Sequence, residues 1–138
     1  MNLEYVNIKY KSGFKYQVSR VASVQTTILG YDVKNQYYTL NEDGVLTALV
    51  GYAWDGASKC PDFRSIMRGS LFHDILYQMF RSEELPRHFK GTADGLLKRL
   101  CIEDGMWKLF AELVYEAVEK FGAPATHPNH KKREYTAP

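Results

Sequence analysis

The hydrophobic period of this chain changes once, and that change constrains its fold more than any other feature. Up to about residue 50 the chain reads as short strands. Apolar and polar side chains roughly alternate in Tyr5-Val6-Asn7-Ile8-Lys9-Tyr10 and in Phe14-Lys15-Tyr16-Gln17-Val18-Ser19, Val24–Leu29 is β-branched and apolar, and Tyr37–Leu40 and Val45–Val50 follow. Alternation of this kind suits half-buried strands. Asn41-Glu42-Asp43-Gly44 supplies a turn former and a glycine for positive φ between the last two runs, and so predicts a hairpin. After Pro61 the apolar residues recur at helical spacing. Asp62 is the expected N-cap of a first helix running to about Arg81, with the stripe Met67, Leu71, Phe72, Ile75, Leu76, Met79 and Phe80. Pro86 interrupts. A second helix is expected over about Thr92–Ile102, ended by Asp104-Gly105. A third, over about Trp107–Phe121, is expected to bury Phe110, Leu113, Val114, Ala117, Val118 and Phe121. Strands followed by helices make an α+β fold, an N-terminal antiparallel β-meander followed by three helices. The expectation is one domain over residues 1–122 and a flexible tail over 123–138, where two prolines oppose a helix and His127 and His130 read as solvated.

Composition narrows the function classes. A chain of 138 residues with 45% hydrophobic and 25% charged residues has the makeup of a soluble globular protein with its own core. A net charge of +2, with no basic stripe interleaved with aromatics, carries no nucleic-acid signature and no attraction to anionic membranes. No apolar run is long enough to span a bilayer, and MNLEYVNIKYKSG lacks an apolar signal core, so a cytoplasmic location is expected. The chain has ten tyrosines, and their richness in the N-terminal strands reads as an interaction surface or as aromatic pairs of a small sheet. Cys60 and Cys101 have no CxxC spacing, which rules out a zinc ribbon. Antiparallel helices would bring these two positions to the same end of the pair, so a bridge is conceivable, but free thiols are the expectation.

The residues capable of chemistry gather in GYAWDGASKCPDFRSIMRGSLFHDILY, from Gly51 to Tyr77. His73 and Tyr77, four apart, share a helix face, while Asp74 points about a quarter-turn away. Asp94 follows on the second helix. With a short connection the two helices are expected to be antiparallel neighbours, so Asp94 can cross to His73. A carboxylate on one ring nitrogen sets the tautomer and leaves the other nitrogen as a base for water, with Tyr77 donating its hydroxyl to Asp94. Asp55, Asp74 and carbonyls of the loop around Gly56 are hard oxygen ligands suited to calcium, which would polarise an ester carbonyl. Each piece also has a structural reading: a satisfied core histidine, an Asp-Gly turn, an Asp near a helix start. Ser58 in GAS lacks the nucleophile-elbow pattern.

The succession GYAWDGAS, FHDILY, TADGLLKRLCIEDG and YEAVEKFG resembles a family of small proteins of tailed phages and prophages, catalogued as domain of unknown function 1353. The resemblance covers roughly Val45 to Gly122 and implies a phage or prophage origin, hence a host-cytoplasmic or virion-associated protein. His73-Asp74-Ile75-Leu76-Tyr77 is also similar to the HDxxY helix of secreted phospholipases A2. That resemblance implies His73 as the base for water, Asp94 as its orienter, Tyr77 as support, and Asp55 and Asp74 as calcium ligands. The implied substrate is a phospholipid or another ester. The glycine-dense calcium loop of animal members is absent, and no cysteine adjoins His73. The alternative is a non-catalytic virion or tail component, or a factor binding a host protein or a nucleotide, in which DGAS and HDxLY are structural. Cleavage of a cell-wall bond with zinc ranks last, because one histidine with carboxylates is a poor zinc set.

Overall fold

The computed structural model describes residues 16–57 and 61–128. The strand expected at Tyr5–Tyr10, Ser58, Cys60 and His130 lie outside the described residues. Among the described residues the fold is α+β, an antiparallel β-meander of six strands in two sheets followed by three helices. The described residues fall into two compact units, one ending at Asp55 and the other beginning at Gly56.

In the first unit the strands are β1 Tyr16–Gln17, β2 Ala22–Gln25, β3 Val33–Lys34, β4 Tyr38–Leu40, β5 Val45–Ala48 and β6 Ala53–Trp54. β3, β4 and β5 run on from one another, and β2 returns to the free side of β5, giving the order β2-β5-β4-β3. β1 pairs with β6, where the Tyr16 and Trp54 rings lie 5.5 Å apart. The alternation read from the sequence is the alternation of the sheet: Leu40, Leu46 and Ala48 are buried while Thr39 and Thr47 stand between them. On that second face Ser23 and Thr47 share a hydroxyl hydrogen bond of 2.8 Å across β2 and β5.

The β4–β5 hairpin closes through Asn41–Gly44. Asn41 Oδ1 accepts from the Asp43 and Val45 amides, and the Gly44 amide donates to the Asn41 carbonyl. Gly44 is left-handed, with φ of +86°, and its carbonyl accepts both the amide and the hydroxyl of Thr26 at 2.8 Å. Thr26 thereby ends β2 two residues before the fully buried Ile28.

In the second unit the helices are α1 Arg64–Arg81, α2 Lys90–Glu103 and α3 Lys108–Phe121. Short 3-10 turns cover Arg87–Phe89 and Ala123–Thr126. α1 is buried along most of its length, and its apolar stripe meets Leu96, Leu97 and Leu100 of α2. The pairs Arg68–Asp104, His73–Asp94 and Tyr77–Asp94 show that α1 and α2 run antiparallel. Arg68 clasps the far end of the pair, with two bonds to Asp104 and one to Glu103, all at 3.0 Å. α1 stops at a left-handed turn, Glu83 at φ of +60°, whose following amides return to the Met79 carbonyl before Pro86. Among the described residues no helix is long and apolar enough to cross a membrane.

Three expectations change here. Asp62 does not cap α1. The N-cap is Phe63, without a side-chain bond, and the Asp62 carboxylate instead turns back to accept from the Ala57 amide at 3.3 Å. α3 buries Ala111 and Val114, whereas Phe110, Leu113 and Phe121 are more than half exposed. The apolar arc of α3 is wider than one helix contact, and α2 covers only part of it. The stretch after Gly122, expected as tail, begins with an ordered turn. Thr126 is buried there, and Arg81 reaches across from α1 to the Ala125 carbonyl at 2.8 Å.

Gly44→Ala tests the hairpin. A Cβ at this position would stand 2.7 Å from the Thr26 carbonyl oxygen in a backbone conformation that L-residues avoid. We expect a loss of ~2–3 kcal/mol in urea unfolding, and a change within ~0.5 kcal/mol would contradict this picture of the turn.

Candidate functional site

Among the described residues of the second unit one carboxylate is buried, Asp94, at the middle of a set of donors. Asp94 sits one turn into α2, where its own helix has no further use for it, and it has no solvent exposure. An isolated carboxylate in such a place would be driven to its neutral form. Three donors prevent this. His73 Nε2 lies 2.8 Å from Oδ1, the Tyr77 hydroxyl donates to the same oxygen at 2.7 Å, and Lys90 Nζ donates to Oδ2 at 2.6 Å. Burial pushes the Asp94 carboxyl up, but the bonds from His73, Lys90 and Tyr77 outweigh it and hold the group below its ordinary value. The same arrangement raises Tyr77, through burial first and then through its bond to Asp94, so the phenol stays protonated and donates.

An ionised Asp94 assigns the imidazole tautomer. Nε2 carries the proton toward Oδ1, and a neutral His73 keeps its lone pair on Nδ1. Among the described residues no hydrogen-bond partner accompanies Nδ1. The His73 side chain is 12% exposed, so the ring is braced inside and still reaches solvent. Tyr77, one turn on, stacks beside it with ring centroids 4.1 Å apart. The sequence-predicted trio His73, Tyr77 and Asp94 is thus brought together at hydrogen-bonding distance.

Two members of the cluster escaped the sequence reading. Lys90 does more than pair with Asp94: Nζ also donates to the Val118 and Glu119 carbonyls, at 3.0 and 3.2 Å. It therefore ties the last turn of α3, where unpaired carbonyls and the negative end of the helix dipole favour a cation, to the buried carboxylate. The signal in the sequence was the Lys90/Asp94 spacing of four on one helix. Gly122 is the other. A Cβ there would lie 2.5 Å from both the Tyr77 hydroxyl and the Val118 carbonyl oxygen, so only glycine lets the chain leave α3 across the back of the site. Its sequence signal, a glycine closing a helix, reads as a simple stop.

The cation part of the expectation rests on Asp74 and Asp55. Asp74 is half-buried next to His73 on α1, and Asp55 is exposed at the end of the first unit. Among the described residues no three His, Cys, Asp or Glu side chains gather to hold a metal ion. Calcium is also bound by one carboxylate with backbone carbonyls and water. Cys101 is buried on α2, 3.5 Å from where a Cβ at Gly69 would lie, and belongs to the helix packing. An open hollow of about 540 Å³ beside the α1–α2 connection is walled by Phe80, Glu84, Pro86, Arg87 and Pro128, and none of the trio lines it.

Because the Asp94 carboxyl is held low in the folded state, its stabilisation is complete above the unfolded carboxylate range and disappears as pH falls through the lowered folded value. Asp94→Asn should cost ~3 kcal/mol at neutral pH, and its deficit against the wild type should shrink steadily below about pH 4. Urea unfolding across pH checks this, and a deficit independent of pH would show that Asp94 is not the ionised hub. No protein-family model, curated protein or solved structure matches the chain, so the chemistry of the site rests on its own geometry.

Proposed function

We propose that this is a tailed-phage or prophage protein acting in the host cytoplasm or with the virion, and that its His73–Asp94–Tyr77 cluster is a hydrolytic site for esters, with phospholipids as the substrate class. The observation that carries the reading is the asymmetry of His73. Its Nε2 is held 2.8 Å from a buried carboxylate, while Nδ1 has no partner among the described residues. In the proposed reaction Nδ1 takes a proton from water, and the water oxygen bonds to the ester carbonyl carbon. Asp94 stabilises the imidazolium that forms, and the imidazolium then returns the proton to the leaving alkoxide as the C–O bond breaks. Asp74 is proposed as a ligand for calcium, whose chemistry would be to polarise the ester carbonyl.

A second reading is favoured by one observation of its own. Both oxygens of Asp94 are already occupied, and Lys90 supplies a full positive charge on Oδ2. A cluster so saturated also serves as a structural hub. In this alternative the protein is a virion or tail component, or binds a host protein, without catalysis.

A fluorogenic phospholipid assay with and without calcium, on the wild type, His73→Ala and Asp74→Asn, separates the two. The hydrolase reading expects turnover that falls by at least about 100-fold in His73→Ala. It also expects calcium binding by calorimetry that disappears in Asp74→Asn. If the wild type cleaves no ester and His73→Ala changes only the unfolding midpoint, the hub is structural.

A further inference from the structure

α3 is apolar on two adjoining faces, and its contact with α2 uses one. Ala111 and Val114 are buried, while Trp107, Leu109, Phe110, Leu113 and Phe121 are each between 51% and 66% exposed. Trp107 at the N-cap and Phe110 meet edge to face at 5.8 Å, so the start of the patch is an ordered aromatic pair. Four large side chains on this 14-residue helix and Trp107 at its N-cap, each exposed by half or more, present on the order of 500 Å² of apolar surface, in the upper part of the range for the largest patch of a monomer. With its rim, that area approaches the ~800 Å² per partner buried in a stable association.

From this face we infer that the protein is a homodimer, paired through α3 across a two-fold axis beside Leu113. Two antiparallel copies of α3 set Leu113 against Leu113, Phe110 of each against the small Ala117 of the other, and Phe121 against Trp107. One operator satisfies all three contacts, with large opposite small, as helix packing and a self-complementary interface require. The charges on α3 favour a protein partner over a lipid surface. Lys108 and Lys120 face Glu112, Glu116 and Glu119, two positive charges against three negative, and Glu112 is already paired with Lys98. The basic polar face by which amphipathic helices hold anionic membranes is missing. An aromatic centre with charges confined to its edge is the makeup of an interface core. The inference is independent of the hydrolytic reading, since none of its residues belongs to the Asp94 cluster.

Sedimentation velocity over a concentration series tests it, with circular dichroism melting of each variant as the control for folding. The wild type should sediment at twice the mass of the chain. Leu113→Asp should raise the dimer Kd by at least about 100-fold, since each dimer would bury two unpaired carboxylates, and should leave the fold intact because Leu113 is exposed. Ala117→Trp should also give monomer, although it adds apolar surface, because it fills the space that Phe110 needs. A wild type that stays monomeric throughout overturns the inference. So does an Ala117→Trp variant that dimerises as well as the wild type. A monomer recruited to phosphatidylcholine vesicles in a Leu113-dependent way would assign the face to lipid instead.

Discussion

The helical unit depends on keeping one carboxylate charged in a place without water. Asp94 is fully buried, and taking an ion of that size out of solvent costs several kcal/mol unless donors replace the hydration. The replacements come from two helices and pass to a third. His73 and Tyr77 lie on α1, Lys90 on α2, and Lys90 continues to the Val118 and Glu119 carbonyls at the end of α3. Sliding α1 against α2 by one turn would strand the charge, so the cluster sets register in a way that the apolar contacts, which tolerate repacking, do not. Gly122 completes the constraint by leaving room for the Tyr77 hydroxyl.

The same constraint shapes what the site is able to do. A base needs one nitrogen restrained and the other available, and His73 has that arrangement. Lys90 bears on the chemistry as well as the packing. A carboxylate whose second oxygen carries an ammonium gives less of its charge to the imidazole than a carboxylate left to itself. The cluster is therefore more rigid, and electrostatically milder, than an isolated His/Asp pair. This is why the hydrolytic and structural readings draw on the same atoms and divide on what happens at Nδ1.

Much of this was legible in the sequence, for reasons that differ from residue to residue. The change of period near residue 50 is a local signal, and strands and helices follow it. His73 and Tyr77 share a face because four residues make nearly one turn, and Asp94 meets them because a short connection with Pro86 leaves α2 no course except back along α1. What stayed hidden depends on tertiary packing. Asp62 next to a helix start looks like a cap, yet its carboxylate serves the Ala57 amide, a choice made by the loop. The reach of Lys90 to α3 and the tight fit at Gly122 exist only once three helices have met. For α3, an apolar arc wider than one contact does not say which half turns inward. The half formed by Ala111 and Val114 did, because small side chains permit close approach to α2.

The measurement that bears most directly on the ionised Asp94 hub is a long-range proton–nitrogen correlation spectrum of the His73 ring, recorded at a pH where the ring is neutral and compared with Asp94→Asn. The structure predicts a protonated Nε2 and a pyridine-like Nδ1 in the wild type, with the two tautomers mixed in the variant. A wild-type spectrum showing a protonated Nδ1, or one unchanged by the substitution, would contradict a hub in which the Asp94 carboxylate orients the imidazole.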